Sequence, residues 1–228
     1  MIRVSNIKIE TPILLNTNSP FLLYIENPTE YCKTIQDLRG AFDGGESEFS
    51  FWEKDEMFSP EKKGEIILSP FFFELADKKI INLLHKRLND EFLNGDNIIR
   101  FNEIIAKAEN LFYNIFTAVD FSLEFEELQF ANLLKVCSVK PTCEFETMLE
   151  KVIGYINAYI ELKNVSFFVL VGIKTVLANA EIEQLYKHCA LRKVELLIIE
   201  SGSPKKIADN ERVVIITDDL CEIVANIE

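Results

Sequence analysis

Two histidines and five cysteines are all that this sequence offers a soft metal. Cys32, Cys137, Cys143, Cys189 and Cys221 form no C-x-x-C pair, and Cys137 and Cys143, which flank a loop, have no partners that complete a zinc set. Scattered cysteines fit a reducing cytosol, where they serve as small core residues. His85 and His188 each stand alone on a helix, which favours a surface or half-buried role over catalysis. Glycine is scarce too, at 8 of 228 residues. No G-x-x-x-x-G-K-[ST] loop occurs, and Ser201-Gly202-Ser203 reads as a turn rather than a nucleophile elbow. No run of 18 apolar residues exists, so no membrane span is expected. The opening M-I-R-V-S-N-I-K-I-E alternates like a strand and not like a signal peptide, so a cytoplasmic location is expected.

Positive charge is the other shortage. Lysine and arginine number 24 against 37 acidic residues, a net charge of −13. A uniformly acidic surface repels nucleic acid, so DNA contact would need a local basic patch, an assembled channel or bound cations. The bases do group. Lys78, Lys79, Lys86 and Arg87 lie along one helix, Lys135 and Lys140 bracket a turn, and Lys205-Lys206 sit in a loop. On sequence alone, solvated surface explains them better than DNA contact does. Aromatic residues are not interleaved with bases as in a single-strand stacking platform.

What the chain has in quantity is apolar mass. Apolar residues make up 48% and phenylalanines number 18, enough for a real core in one large domain or a domain with an insertion. Ile2 to Leu15 reads as interrupted strand material and Phe21 to Ile25 as a short apolar strand. Asn27 and Pro28 open a helix that runs to about Phe42. Phe49–Trp52 and Ile66–Leu68 read as strands. Between Asp43 and Glu65 there are eight acidic residues and only Lys54, Lys62 and Lys63. From about Ala76 to Leu162 the pattern is mainly helical. Val165–Val171, Val194–Ile199 and Val213–Ile216 are apolar runs of the kind buried on both faces, with a helix from Asn179 and a terminal helix near Leu220. The expected architecture is α/β: a head with a mainly parallel sheet from residues 1–75 and 163–228, and a helical insertion over 76–162.

Asp120 to Glu127, D-F-S-L-E-F-E-E, has a strict period of two. Phe121, Leu123 and Phe125 alternate with Asp120, Ser122, Glu124 and Glu126, which predicts a strand with one acidic face. Unopposed carboxylates call for solvent, a basic neighbour or a cation. Hard oxygen donors favour calcium or magnesium. Residues two apart on a strand are about 6.8 Å apart, so one ion cannot hold them all. A solvated strand face fits the same pattern. Gly172-Ile173-Lys174-Thr175 follows a buried strand like the tail of a phosphate loop, but its upstream glycine is missing (Phe167 stands there) and an extra residue separates Gly172 from Lys174. ATP hydrolysis is therefore disfavoured.

Taken together, the opening strands, the strand–loop–strand from Phe49 to Leu68, the acidic stretch followed by Lys135 and Lys140, and the run Val165 to Gly202 resemble the Csn-type spacer-acquisition accessory proteins of type II-A CRISPR systems. The resemblance implies a homotetrameric ring with a basic central hole that encloses double-stranded DNA and prefers free ends. It implies a head that is a degenerate relative of phosphate-loop ATPases. Calcium would hold the helical region in its DNA-competent shape. The protein would assist spacer capture beside the integrase pair and the RNA-guided nuclease, without being a catalyst. Carried onto this chain, it makes Glu124, Glu126 and Glu127 the calcium ligands, with Asp120 and Ser122 as further candidates. Lys135 and Lys140, joined by Lys78, Lys79 and Lys86, become the candidate DNA contacts. The acidic loop from Asp43 to Glu65 departs from what a DNA-facing surface would carry. A magnesium-dependent nuclease using Asp120, Glu124 and Glu126, and a nucleotide-binding scaffold that contacts only proteins, are the rival expectations.

Overall fold

Side chains that cannot face water on either side set the centre of the head. Phe21–Ile25 (β3) and Phe167–Val171 (β7) are buried at every position, and Glu195–Ser201 (β8) is buried from Leu196 to Glu200. Strands of this kind must be covered on both faces, as in a parallel sheet. The computed structural model, which describes residues 1–71, 74–124, 126–142 and 144–225, has them there. Its six-stranded sheet runs in the order β10-β9-β3-β8-β7-β6, with Gly64–Ile67 as β6, Arg212–Ile216 as β9 and Glu222–Ala225 as β10. All pairings are parallel except β9 with β10. The α/β class and the mainly parallel sheet are as expected.

A second, four-stranded antiparallel sheet has the order β2-β1-β4-β5, formed by Ile2–Asn6 (β1), Ile9–Leu14 (β2), Phe49–Glu53 (β4) and Glu56–Phe58 (β5). One apolar core joins the two sheets. Val4, Phe51, Phe167, Leu23 and Leu38 belong to it, and the rings of Phe51 and Phe167 stack at 5.6 Å. Burying each such side chain contributes roughly 1.5–3 kcal/mol. The packing leaves no slack. A Cβ on Gly64 would sit 2.2 Å from Phe167 Cζ, so only glycine fits there.

Helix Pro28–Phe42 (α1) starts where Asn27 Oδ1 accepts from the Thr29 and Glu30 amides, the ordinary cap for a helix with proline in its first turn. Met148–Lys163 (α5) begins with a capping box of Thr147 and Glu150. It buries Leu149, Val152, Tyr155, Ile156 and Tyr159. Asn179–Leu191 (α6) buries Ile182, Leu185, Tyr186 and Cys189, and His188 Nε2 lies 2.9 Å from Asn157 Oδ1 of α5. Burial, then the Arg192 charge, holds the His188 imidazole below its usual range.

The chain forms two compact units, Met1–Glu74 with Glu144–Glu228, and Leu75–Cys143. The helical unit is thus shorter than the 76–162 read from pattern, because α5 falls with the head. That unit holds Lys78–Asn94 (α2), Asn97–Phe116 (α3) and Phe130–Val136 (α4). Stacked Phe92 and Phe130 rings, 4.3 Å apart, join α2 to α4, and Phe101 meets Phe92 edge-on. Among the described residues no helix is long and apolar enough to cross a membrane.

Two expected elements are corrected. The terminal helix near Leu220 is instead a turn followed by β10. Leu220 has φ +65°, and Thr217 N–H donates to the Cys221 carbonyl (2.8 Å). An open edge on β9 gives ladder partners to the inward-facing backbone groups of a short strand, whereas a helix of that length would be marginal by itself. The acidic strand Asp120–Glu127 is not a strand either: its described residues form an irregular segment between α3 and α4. Both sheets belong to the other unit, and a strand without a neighbour has nowhere to place its backbone hydrogen bonds. Phe125 lies outside the described residues.

Candidate functional site

The helical unit carries the predicted residues. The Asp77 carboxylate caps α2 by accepting from the Ile80 amide (2.9 Å), which starts the helix at Lys78. Lys79 and Lys86 are seven residues apart, two helical turns, and so share a face. Lys78, Lys79 and Lys86 are all exposed. His85 Nε2 lies 2.7 Å from the Val139 carbonyl. That bond ties α2 to the turn after α4 and places Lys86 and Lys140 each one residue from its ends. Lys135 and Lys140 are exposed. The structure therefore gathers Lys86 and Lys140, which are 54 residues apart in sequence, into one neighbourhood.

Asp120, Ser122, Glu124, Glu126 and Glu127 are exposed on the segment after α3. Among the described residues no Lys, Arg or His comes within ion-pair range of these four carboxylates. Nor, among the described residues, do three His, Cys, Asp or Glu side chains converge in a ready-made metal cage. The candidate calcium ligands are thus adjacent in sequence without being gathered into a coordination shell. The segment supplies hard oxygen donors and water access. A cation bound there would have to draw the carboxylates together.

In the head, the Gly172–Thr175 stretch after β7, set against a phosphate loop in the sequence, has a different content. Gly172 takes the left-handed φ of +69°, and Ile173–Thr175 is one turn of 3-10 helix. The Lys174 amide donates to Glu200 Oε1 (2.7 Å), and Lys174 Nζ pairs with Glu211 Oε1 (2.6 Å). Tyr186 Oη donates to the same Glu211 oxygen (2.8 Å), and the Ala208 amide donates to Glu211 Oε2 (2.9 Å). Glu200 and Glu211 are 2% and 1% exposed. Burial pushes the Glu200 carboxyl up to about 7, against the pull of the Lys174 amide and charge. Burial and the Glu211 charge push the Tyr186 phenol well above its usual range. A phosphate-binding lysine must be free to reach a phosphate, and here it is committed to a carboxylate. Beside β3 the helix start is also occupied, since Asn27 fills it and Glu26 accepts from Ser203 Oγ and the Asp218 amide. Carboxylates stand where an anion would have to bind, which disfavours a nucleotide phosphate.

Sequence reasoning missed this network. Its members Lys174, Tyr186, Glu200 and Glu211 are separated by 11 residues or more and carry no local motif. One signal was present: Glu200 follows directly on the apolar residues Leu196–Ile199 within one strand length, and a charge carried into the sheet there needs a buried partner.

Compared with known proteins, residues 41–220 match the family described as CRISPR-associated protein (Cas_Csn2). No curated protein matches the chain by sequence. Among solved structures, a dimeric ATP-binding cassette in a post-hydrolysis state, bound to ADP and phosphate, is similar at 12% identity. It covers 98% of each chain with a TM-score of 0.47. A nucleotide-free ATP-binding cassette from an ABC transporter is similar at 12% identity, covering 97% of this chain and 90% of its own, with a TM-score of 0.49.

Proposed function

Because this chain belongs to the Cas_Csn2 family of CRISPR-associated proteins and so serves CRISPR adaptation, we propose that it is a non-catalytic, calcium-dependent binder of double-stranded DNA ends. It works as a homotetrameric ring, beside the integrase pair and the RNA-guided nuclease. The observation that carries the reading is the bare state of the helical unit. Helix α3 buries none of its 20 residues. Ile99, Tyr113 and Phe121 are 71%, 60% and 67% exposed. Apolar surface on that scale is completed by association, and a second, third and fourth copy of the chain would cover it while bringing their lysines together. A closed ring can concentrate a few bases in one channel and leave most of the −13 charge outside.

The cation belongs to the same picture. Glu124, Glu126 and Glu127, with Asp120 and Ser122, supply oxygen donors, and among the described residues no base pairs with these carboxylates. Calcium accepts six to eight oxygens in flexible geometry and can fill its shell with water. Binding would remove negative charge beside Lys135 and Lys140 and order the segment between α3 and α4. Contact through phosphates alone is sequence-independent and salt-sensitive.

The test is a gel shift of a linear duplex and of the same sequence as a closed circle, with calcium or with chelator. The expected outcome is a shift of linear DNA only, and only with calcium. Glu124→Ala with Glu126→Ala should weaken both calcium binding, read by calorimetry, and the shift. Equal shifts of line and circle without calcium would replace the ring with an open basic surface.

A further inference from the structure

The acidic stretch from Asp43 to Glu65 carries few bases that could face DNA, and its fold contains an unfilled place. β5 pairs with only three residues of β4: Phe51 with Phe58, Trp52 with Met57 and Glu53 with Glu56. The chain then leaves at Ser59 for a 3-10 turn at Pro60–Lys62. Opposite Phe49 and Ser50 the edge of the sheet is left uncovered by β5. A cavity of about 340 Å³ opens there, between Gly44–Gly45 and Met57–Ser59, with Phe49 and Phe51 at its floor. That volume lies within the range of ligand-binding clefts.

The hydrogen-bond parity of the sheet says what faces this gap. The Ile2 carbonyl accepts from Leu15 on the β2 side (2.8 Å). In an antiparallel sheet, residues bond alternately to one neighbour and the other. Ile2, Val4 and Asn6 therefore bond towards β2, while Arg3 and Ser5 bond towards their β4 partners Trp52 and Ser50. Glu53, Phe51 and Phe49 turn the other way, two of them to β5 and Phe49 into the gap. The Phe49 amide is taken by Ser47 Oγ (3.0 Å), which leaves the Phe49 carbonyl as the acceptor facing the open track.

The rim is acidic. Asp43, Glu48 and Glu53 have partners in Arg39, Lys8 and Lys63. Among the described residues Glu46, Asp55 and Glu56 have no base within ion-pair range. Glu46 stands between the lining residues Gly45 and Ser47, and Glu56 precedes the lining residue Met57. Duplex DNA would be repelled by this rim, and so would the same acidic face of another copy.

We propose that this gap is a docking site for an extended, lysine- or arginine-rich segment of a partner protein. The segment continues the track of β5 along β4, donates a backbone N–H to the Phe49 carbonyl and inserts one bulky apolar side chain into the cavity between Gly44–Gly45 and Met57–Ser59. Its bases pair with Glu46 and Glu56. Main-chain bonds of this kind give affinity, and the pocket and charges give specificity.

Trp52, the one tryptophan of the chain, lies on β4 and reports on the site. The full chain is titrated with the capped heptapeptide Lys-Val-Lys-Phe-Lys-Val-Lys, and with the counterpart carrying Glu for Lys, while Trp52 fluorescence is followed. The lysine peptide is expected to give a saturable change and the glutamate peptide none. Glu46→Lys with Glu56→Lys should weaken binding about tenfold or more. Glu183→Lys with Asp209→Lys, an equal charge change at exposed positions of the same unit, should leave it intact. Absence of binding, equal binding of both peptides, or equal loss from the distant pair would overturn the proposal.

Discussion

The head and the helical unit treat apolar residues in opposite ways. In the head, Leu23, Phe167 and Val169 are 0% exposed, and each lies between elements that the chain itself supplies. In the helical unit, α3 has the same kinds of residues at helical spacing, yet Ile99 and Leu111 are 71% and 58% exposed. The contrast extends to charge. Lys174 and Glu211 satisfy each other inside the head, whereas the carboxylates around Glu124 and the lysines near Lys140 stand in solvent. The lesson is that one unit is complete as a single chain, while the other presents surface and charge suited to what the chain does not contain.

Removing a charge from each unit tests that contrast most sharply. Lys174→Ala leaves Glu211 buried without its cation and should cost the head about 3–5 kcal/mol, read as a lower urea midpoint. Lys174→Met with Glu211→Gln should recover part of it, because the uncharged amide needs no cation and its oxygen can still accept from Tyr186 or Ala208. Lys140→Ala should stay within about 0.5 kcal/mol of the parent in the same melt. A somewhat smaller effect is expected from apolar deletions. Leu23→Ala should cost about 2–5 kcal/mol. Ile99→Ala should leave the head transition unmoved and shift the assembly to smaller species in light scattering. Equal destabilisation by both would mean that α3 is as well packed as the sheet.

The smallest effect concerns pH. Glu200 has its folded carboxyl raised to about 7, so the folded state holds a proton that the unfolded chain has released. That contribution is fully present below the unfolded value and fades as pH rises through about 7. Melting temperature should decline across that window, and Glu200→Gln should flatten the decline. An unchanged slope in the variant would assign the titration to another group.

The legible part of the fold was the part with redundant signals. β3, β7 and β9 are apolar runs bounded by turn residues, and α1 and α6 carry apolar spacing with Asn27 or an acidic first turn at their starts. The illegible part was wherever a pattern needed a partner. Period two at Asp120–Glu127 records which side chains alternate but not whether a neighbouring strand exists. β10 and the assignment of α5 to the head turned on β9 having an open edge and on Asn157 meeting His188. In the candidate site, the carboxylates and lysines could be read one by one. The bond from His85 to Val139, which gathers Lys86 with Lys140, could not.

By itself, then, the sequence determined an α/β head with a parallel sheet, a helical insertion, an acidic chain short of bases, and the absence of a standard phosphate-loop motif. These follow from residue type and local spacing, which act over a few positions. Tertiary structure alone decided that Lys174 is bound to Glu211, that the acidic stretch is an exposed segment rather than a strand, and that β5 stops short on β4. Each depends on groups tens of residues apart meeting at hydrogen-bond distance, and local spacing carries no record of such meetings.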